Sequence, residues 1–207
     1  MPFTGYLKSQ FFIFQKLKTH MTTVFKVHLA DLTSQFFQDL SQKFGTSAEL
    51  EIRISKAKQK KELFSEAEFW QIIAALDWSK TDAKGITAPA IKQLADMPIV
   101  NIYLFADKLS EKLYQLDTKA HGAAYLANET NDYLSVDDFL YVRCAIVAEG
   151  ATYFNHILKT PAELPNDIDF EPLLTLADHA YALKTEKNFT YQPTFNYETY
   201  SNKKGWQ

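Results

Sequence analysis

Asp117, His121 and Arg143 are the residues of this chain whose types and spacing can do chemistry together. At 100° per residue, Arg143 falls at the border of an apolar helical stripe, flanked by Phe139 and Ile146. A guanidinium there must reach water or find an acceptor, because an unpaired buried charge is costly. Asp117 takes a similar border position on the preceding long helix, one turn before His121, while Glu149 and Asp138 lie on the opposite border of the Arg143 helix. A packed helix pair would set Asp117 and His121 facing Arg143. One reading is a polar pocket for an anionic or amide-bearing ligand held by Arg143, with His121 as proton donor or acceptor. The other, which we favour, is a structural ion pair that fixes helix register.

Asp117 and His121 also have the i, i+4 spacing that can place two metal ligands on one helix face. Two ligands without a third and fourth do not make a centre, so no metal and no cofactor is expected. Asp137 and Asp138 read as first-turn capping carboxylates after Ser135. The single cysteine, Cys144, lies among Val142, Ala145 and Ile146 and reads as a buried apolar residue rather than a nucleophile. The six glycines are scattered singly and form no phosphate loop; no zinc pattern, His-Glu-x-x-His or Gly-x-Ser-x-Gly occurs.

Composition narrows the class further. The 207 residues are 46% hydrophobic and 14% aromatic, enough for a sizeable core, and the formal charge of -3 argues against general nucleic-acid binding. No run approaches the roughly 20 apolar residues a membrane span needs, and the Phe11–Phe14 run lacks the features of a secretory signal. A lone cysteine fits a reducing compartment, and the expected location is the cytoplasm.

The elements that must position these residues follow from periodicity. Residues 1–20 read as a disordered or non-native leader, with Met21 as the natural start. Residues 21–55 read as a β-α-β appendage: a strand from Val24 to Leu29, a helix carrying Phe36, Phe37, Leu40 and Phe44 and ended by Gly45, and a strand in which Leu50, Ile52 and Ile54 alternate with polar residues. The lysine-rich stretch 56–64 reads as a linker. From 65 to 185 the spacing turns helical. Ser65 and Glu68 have capping-box spacing before Phe69, Ile72 and Ile73. Thr87 and Pro89 open a short helix, and Pro98 opens a long one through Ile102, Phe105, Leu109 and Leu113. An Ala-rich helix, kinked from its predecessor at Gly122, follows; then Ser135 opens one helix carrying Phe139, Val142, Ile146, Gly150, Tyr153 and Ile157 on one face. Phe170 to Leu183 reads as the last helix, and the tail 186–207 holds six aromatics, too many for a solvated segment. The fold class is mainly α, a helical domain with a small N-terminal β-α-β appendage, α+β overall.

Phe69-Trp70-x-Ile72-Ile73, Tyr125-Leu126, Asp138-Phe139-x-Tyr141-x-Arg143 with Ile146 and Gly150, and Pro161 stand in an order that resembles the bacterial DUF4240 domain family, over about Phe69 to Pro165. The resemblance implies a mainly helical bacterial domain of unassigned function and brings no catalytic residues. Where the family has an aromatic and a Gly-rich turn, this chain has Lys119 and Asn128 to Asp132, which alters any pocket built there. Three functions fit. The first is a non-enzymatic binding or regulatory module, a homodimer through residues 21–55 or bound to a protein partner, without membrane contact. The second is an enzyme or ligand-binder for a small anionic or nucleotide-like molecule at Asp117, His121 and Arg143, with Glu149 in the same polar cluster. The third is an immunity- or antitoxin-like protein that neutralises a partner.

Overall fold

Side-chain caps set where most of the helices begin. The computed structural model describes Val27 and residues 32–50, 63–127 and 133–207, and the chain divides into two units between Lys58 and Gln59. In the first unit the Thr33 hydroxyl accepts the Phe36 N–H at 3.2 Å and starts α1, Ser34–Phe44. Gly45, at φ 87°, ends it, a conformation that costs glycine little. Phe36, Phe37, Leu40 and Phe44 lie on α1 as their spacing predicts, yet no residue of this helix is buried. The expected strands fall outside the described residues except for Val27 and Leu50, and neither of these is in a strand. Among the described residues there is no strand at all, so the mainly α class stands without support for the β-α-β appendage. Two short strands would in any case bury little surface against which to hold a ladder. The leader 1–20 and all but the end of the 56–64 linker also lie outside the described residues.

The second unit is built from seven helices among the described residues. Helix α2, Glu66–Ile73, has the predicted capping box: the Glu68 N–H donates to Ser65 Oγ at 3.2 Å and the Ser65 N–H to Glu68 Oε2 at 2.7 Å. Helix α3, Ala83–Asp96, starts a turn earlier than Thr87, because Asp82 Oδ1 accepts the Gly85 N–H at 2.9 Å and caps it there. Pro89 is therefore inside this helix rather than at its entrance. Helix α4, Ile99–Leu116, follows Pro98 and buries Ile102, Phe105, Leu109 and Leu113. Its break from α5, Lys119–Ala127, lies at Asp117 and Thr118, not at Gly122.

Helix α6, Val136–Ala148, is buried continuously from Val142 to Ala148, as well as at Phe139 and Leu140. A helix buried on every face is the centre of its domain. The expected single helix from Ser135 to Ile157 is split at Gly150, which at φ 94° cannot continue α6 and leads into α7, Ala151–Lys159. A 3-10 turn at Pro161–Glu163 and another at Glu171–Thr175 precede α8, Leu176–Thr185, so the first turn of the expected last helix is 3-10. Helix α8 packs on α3 and α4, and α6 packs on α4 and α7. Beyond α8 the chain has no further helix, but Phe189, Tyr191, Tyr197 and Trp206 pack against the core. Among the described residues no helix is long and apolar enough to cross a membrane.

Candidate functional site

The break between α4 and α5 creates the polar centre of the domain. An α-helix leaves its last carbonyls without intrahelical donors. At the end of α4, Leu113 O is taken by Arg143 Nη1 at 2.9 Å, Tyr114 O by Asn202 Nδ2 at 3.1 Å, and Leu116 O by the Thr118 N–H at 2.9 Å. Two of those three donors come from distant parts of the chain. The C-terminal segment is thus part of how α4 ends.

Arg143 is fully buried, at 0% exposure, rather than at a stripe border, because α6 is surrounded on all sides. Its Nε donates to Phe139 O at 3.4 Å, Nη1 also reaches Tyr197 O at 3.0 Å, and Nη2 donates to Thr199 Oγ1 at 2.9 Å. The Thr199 hydroxyl in turn donates to Val136 O at 2.7 Å, closing that chain of bonds onto α6. Burial lowers Arg143 and the Asp117 charge offsets this only in part, which leaves it at about 10, so the guanidinium is charged at neutral pH.

Asp117 is equally buried, as the residue that ends α4. Its Oδ1 accepts the Tyr200 N–H at 3.0 Å and the Trp206 indole N–H at 2.7 Å; Oδ2 accepts the Asn202 N–H at 2.9 Å. The Ser201 hydroxyl is shared between Oδ2 and Asn196 O. These are charge-assisted bonds to a carboxylate, the stronger kind. No direct Asp117–Arg143 ion pair forms. Instead, neighbouring residues of one segment, Tyr197 and Thr199 on one side and Tyr200 to Asn202 on the other, serve the two charges.

His121 belongs to the same buried region but to α5, so it shares no helix with Asp117. Its Nε2 lies 3.2 Å from Ile157 O, which can only accept, and this assigns the ring proton to Nε2. Nδ1 then accepts from the Thr118 hydroxyl at 2.7 Å, and the ring is neutral. Burial lowers its pKa, with the nearby Arg143 charge acting in the same direction. In the unfolded chain the ring titrates near about 6.5. Below that value the unfolded state binds the proton that the folded state resists, so stability falls with falling pH. The expected result is a loss of stability in urea titrations from about pH 6.5 downward that is smaller in His121→Gln.

The fourth predicted member does not join. Glu149 ends α6 as an exposed residue and its carboxylate makes no contact with the cluster. Cys144 is buried, and burial pushes its thiol up to about 12, which leaves it protonated and unreactive. Ser135 accepts the Asp138 N–H at 3.3 Å, so that acidic pair sits in the first turn of α6 as expected. No group of three or more metal-ligating side chains occurs among the described residues. Asn128 to Asp132, the altered turn, lie outside them.

Sequence reasoning missed two things. The first is the contribution of Thr199, Ser201, Asn202 and Trp206, which reach the cluster across more than fifty residues of chain. Gly122 holds a faint signal of it: a Cβ there would sit 2.5 Å from Trp206 Cη2. Gly122→Ala is expected to cost about 1–3 kcal/mol by overpacking, measured by urea unfolding; an unchanged midpoint would mean the indole is not seated on α5. The second is a buried lysine. Lys112 Nζ lies 2.6 Å from Glu66 Oε1, 5.3 Å from the Phe154 ring centroid and 5.8 Å from that of Trp70. Glu66 also accepts from Trp70 Nε1 at 2.9 Å. Burial raises its carboxyl, but Lys112 and Trp70 outweigh that and the net shift is downward. Glu66 and Trp70 have the i, i+4 spacing that signals their own bond, but nothing local signals the pairing of Glu66 on α2 with Lys112 on α4.

These features define a helical domain whose buried polar cluster is closed by its own C-terminal segment. Residues 64–183, more than half of the chain, match the family described as protein of unknown function (DUF4240), and the chain belongs to that family. The match extends beyond the Phe69 to Pro165 resemblance at both ends. No curated protein and no solved structure matches the chain. Asp117 and Arg143 lie inside the matched span, whereas Tyr197 to Trp206, which satisfy them, lie beyond it.

Proposed function

We propose that this protein is a non-enzymatic binding or regulatory module that acts in the cytoplasm. The observation that carries this reading is the saturation of the polar cluster: among the described residues, no buried side-chain nitrogen or oxygen lacks a hydrogen-bond partner. An anionic substrate would have to displace main-chain and side-chain groups already bonded to Arg143, and leave them buried and unpaired at about 1–3 kcal/mol each. The same saturation weighs against the enzyme or anion-binding reading at Asp117, His121 and Arg143. Contact with a second copy through residues 21–55 belongs to this proposal, and the exposed Phe37 and Phe44 of α1 are its support.

The test is a titration of the full chain with phosphate, citrate and a nucleoside triphosphate, following the Trp206 indole N–H and the Arg143 Nε–H by NMR. Neither resonance is expected to move. Saturable shifts at both would replace this reading with the anion-binding one.

A further inference from the structure

Apart from the polar cluster, a recess among the described residues combines an ionisable group with room for a ligand. A cleft of about 150 Å³ opens between α4, the start of α8 and the C-terminal segment. Leu109, Leu174 and Ala177 are among its apolar lining residues, and the C-terminal segment contributes Phe189, Tyr191 and Tyr197. Asp178 is the single charged residue of the lining. Among the described residues no cation pairs with it by a salt bridge. Burial at this position raises its carboxyl above the ordinary range, and the His179 charge offsets this only in part.

The first turn of α8 explains why a carboxylate is tolerated there, since helix N-termini favour negative charge. It does not explain why three aromatic residues line a recess beside that carboxylate. The aromatic wall is also fixed in advance. Arg143 Nη1 holds Tyr197 O at 3.0 Å, and the Tyr191 hydroxyl donates to Asp107 Oδ2 at 3.0 Å. The Thr194 N–H adds a bond to Asp107 Oδ1 at 2.8 Å. A preorganised wall loses little entropy when a ligand arrives. A volume of roughly 150 Å³ is that of a cavity able to hold a benzene-sized molecule. Carboxylate and aromatic rings around such a volume are complementary to a compact cation with an alkyl surface. Phosphates and carboxylates would meet Asp178 and no positive group.

We propose that this cleft binds a small organic cation, an alkylammonium or quaternary ammonium group, with Asp178 as the counter-charge and Phe189, Tyr191 and Tyr197 around its alkyl substituents. This site is separate from the Asp117, His121 and Arg143 cluster and stands or falls independently of the binding-module reading.

The experiment is an NMR titration of the full chain with tetramethylammonium chloride, with potassium chloride and tert-butanol as ionic and neutral controls. The expected result is saturable shifts of the Ala177 methyl and of the Tyr191 and Tyr197 ring protons, absent with both controls. Asp178 is exposed as a residue, with only part of its carboxyl shielded in the cleft, so Asp178→Asn should leave folding intact and weaken binding about tenfold. Phe189→Leu, which keeps an apolar wall but removes a ring, should weaken it as well. No saturable shift in the wild-type chain at tens of millimolar would overturn the proposal. Equal shifts with tert-butanol, or undiminished affinity in Asp178→Asn, would overturn it too, since the cleft would then be a merely apolar recess.

Discussion

A chain ending at Glu186 is expected to lose its cooperative fold. Without the last residues, Asp117 keeps none of its four donors, and Arg143 loses Tyr197 O and Thr199 Oγ1. Stranding one buried charge costs about 3–5 kcal/mol, and here Asp117 is stranded outright while Arg143 keeps only Leu113 O and Phe139 O. The apolar contribution of Phe189, Tyr191, Tyr197 and Trp206 is lost with them. Against a total stability of roughly 5–15 kcal/mol for a domain, that sum leaves little or nothing. Near-UV circular dichroism should collapse while part of the helical far-UV signal survives, the signature of helices without fixed packing. A shortened chain that melts sharply within a few degrees of the full one would show the segment to be dispensable.

Arg143→Met is expected to be the most damaging single substitution at the cluster. Methionine matches the volume of the side-chain stem but donates nothing to Leu113 O, Tyr197 O or Thr199 Oγ1. The Asp117 carboxylate also loses the neighbouring positive charge. We expect a loss of about 3–5 kcal/mol, or a fall in Tm on the order of 10 °C for a domain of this size. Chemical denaturation of the purified variant measures it. A loss below about 1 kcal/mol, the range of exposed pairs, would mean that the guanidinium is solvated rather than locked.

Most of the helical architecture was legible in the sequence because caps and periodicity are local. Ser65 with Glu68 and Ser135 with Asp138 announced two helix starts, and the α4 stripe ran as its spacing required. The misplaced boundaries have specific causes. Asp82 outcompeted the Thr87-Pro89 signal, and Gly150 adopted a positive φ that periodicity alone does not reveal. The cluster was half legible: Asp117, His121 and Arg143 do come together, and Glu149 does not. Its own helix alone puts Arg143 at a stripe border, whereas its burial depends on what surrounds α6. The partner of each charge likewise lies outside its own helix pair. A guanidinium and a carboxylate suggested each other, but both are answered by a segment without helical period, whose pairing has no local signature.

Native-state hydrogen exchange of the full chain tests most directly whether the C-terminal segment is a closed part of the domain. The main-chain N–H groups of Tyr200 and Asn202 and the Trp206 indole N–H all donate to Asp117. If the segment locks the cluster, these three protons exchange only when the domain unfolds, with protection equal to that of the slowest amides of α6. Protection of Tyr200 and Asn202 near that of exposed amides, while α6 stays protected, would mean that the cluster opens freely to solvent, and would contradict a structural role for Asp117 and Arg143.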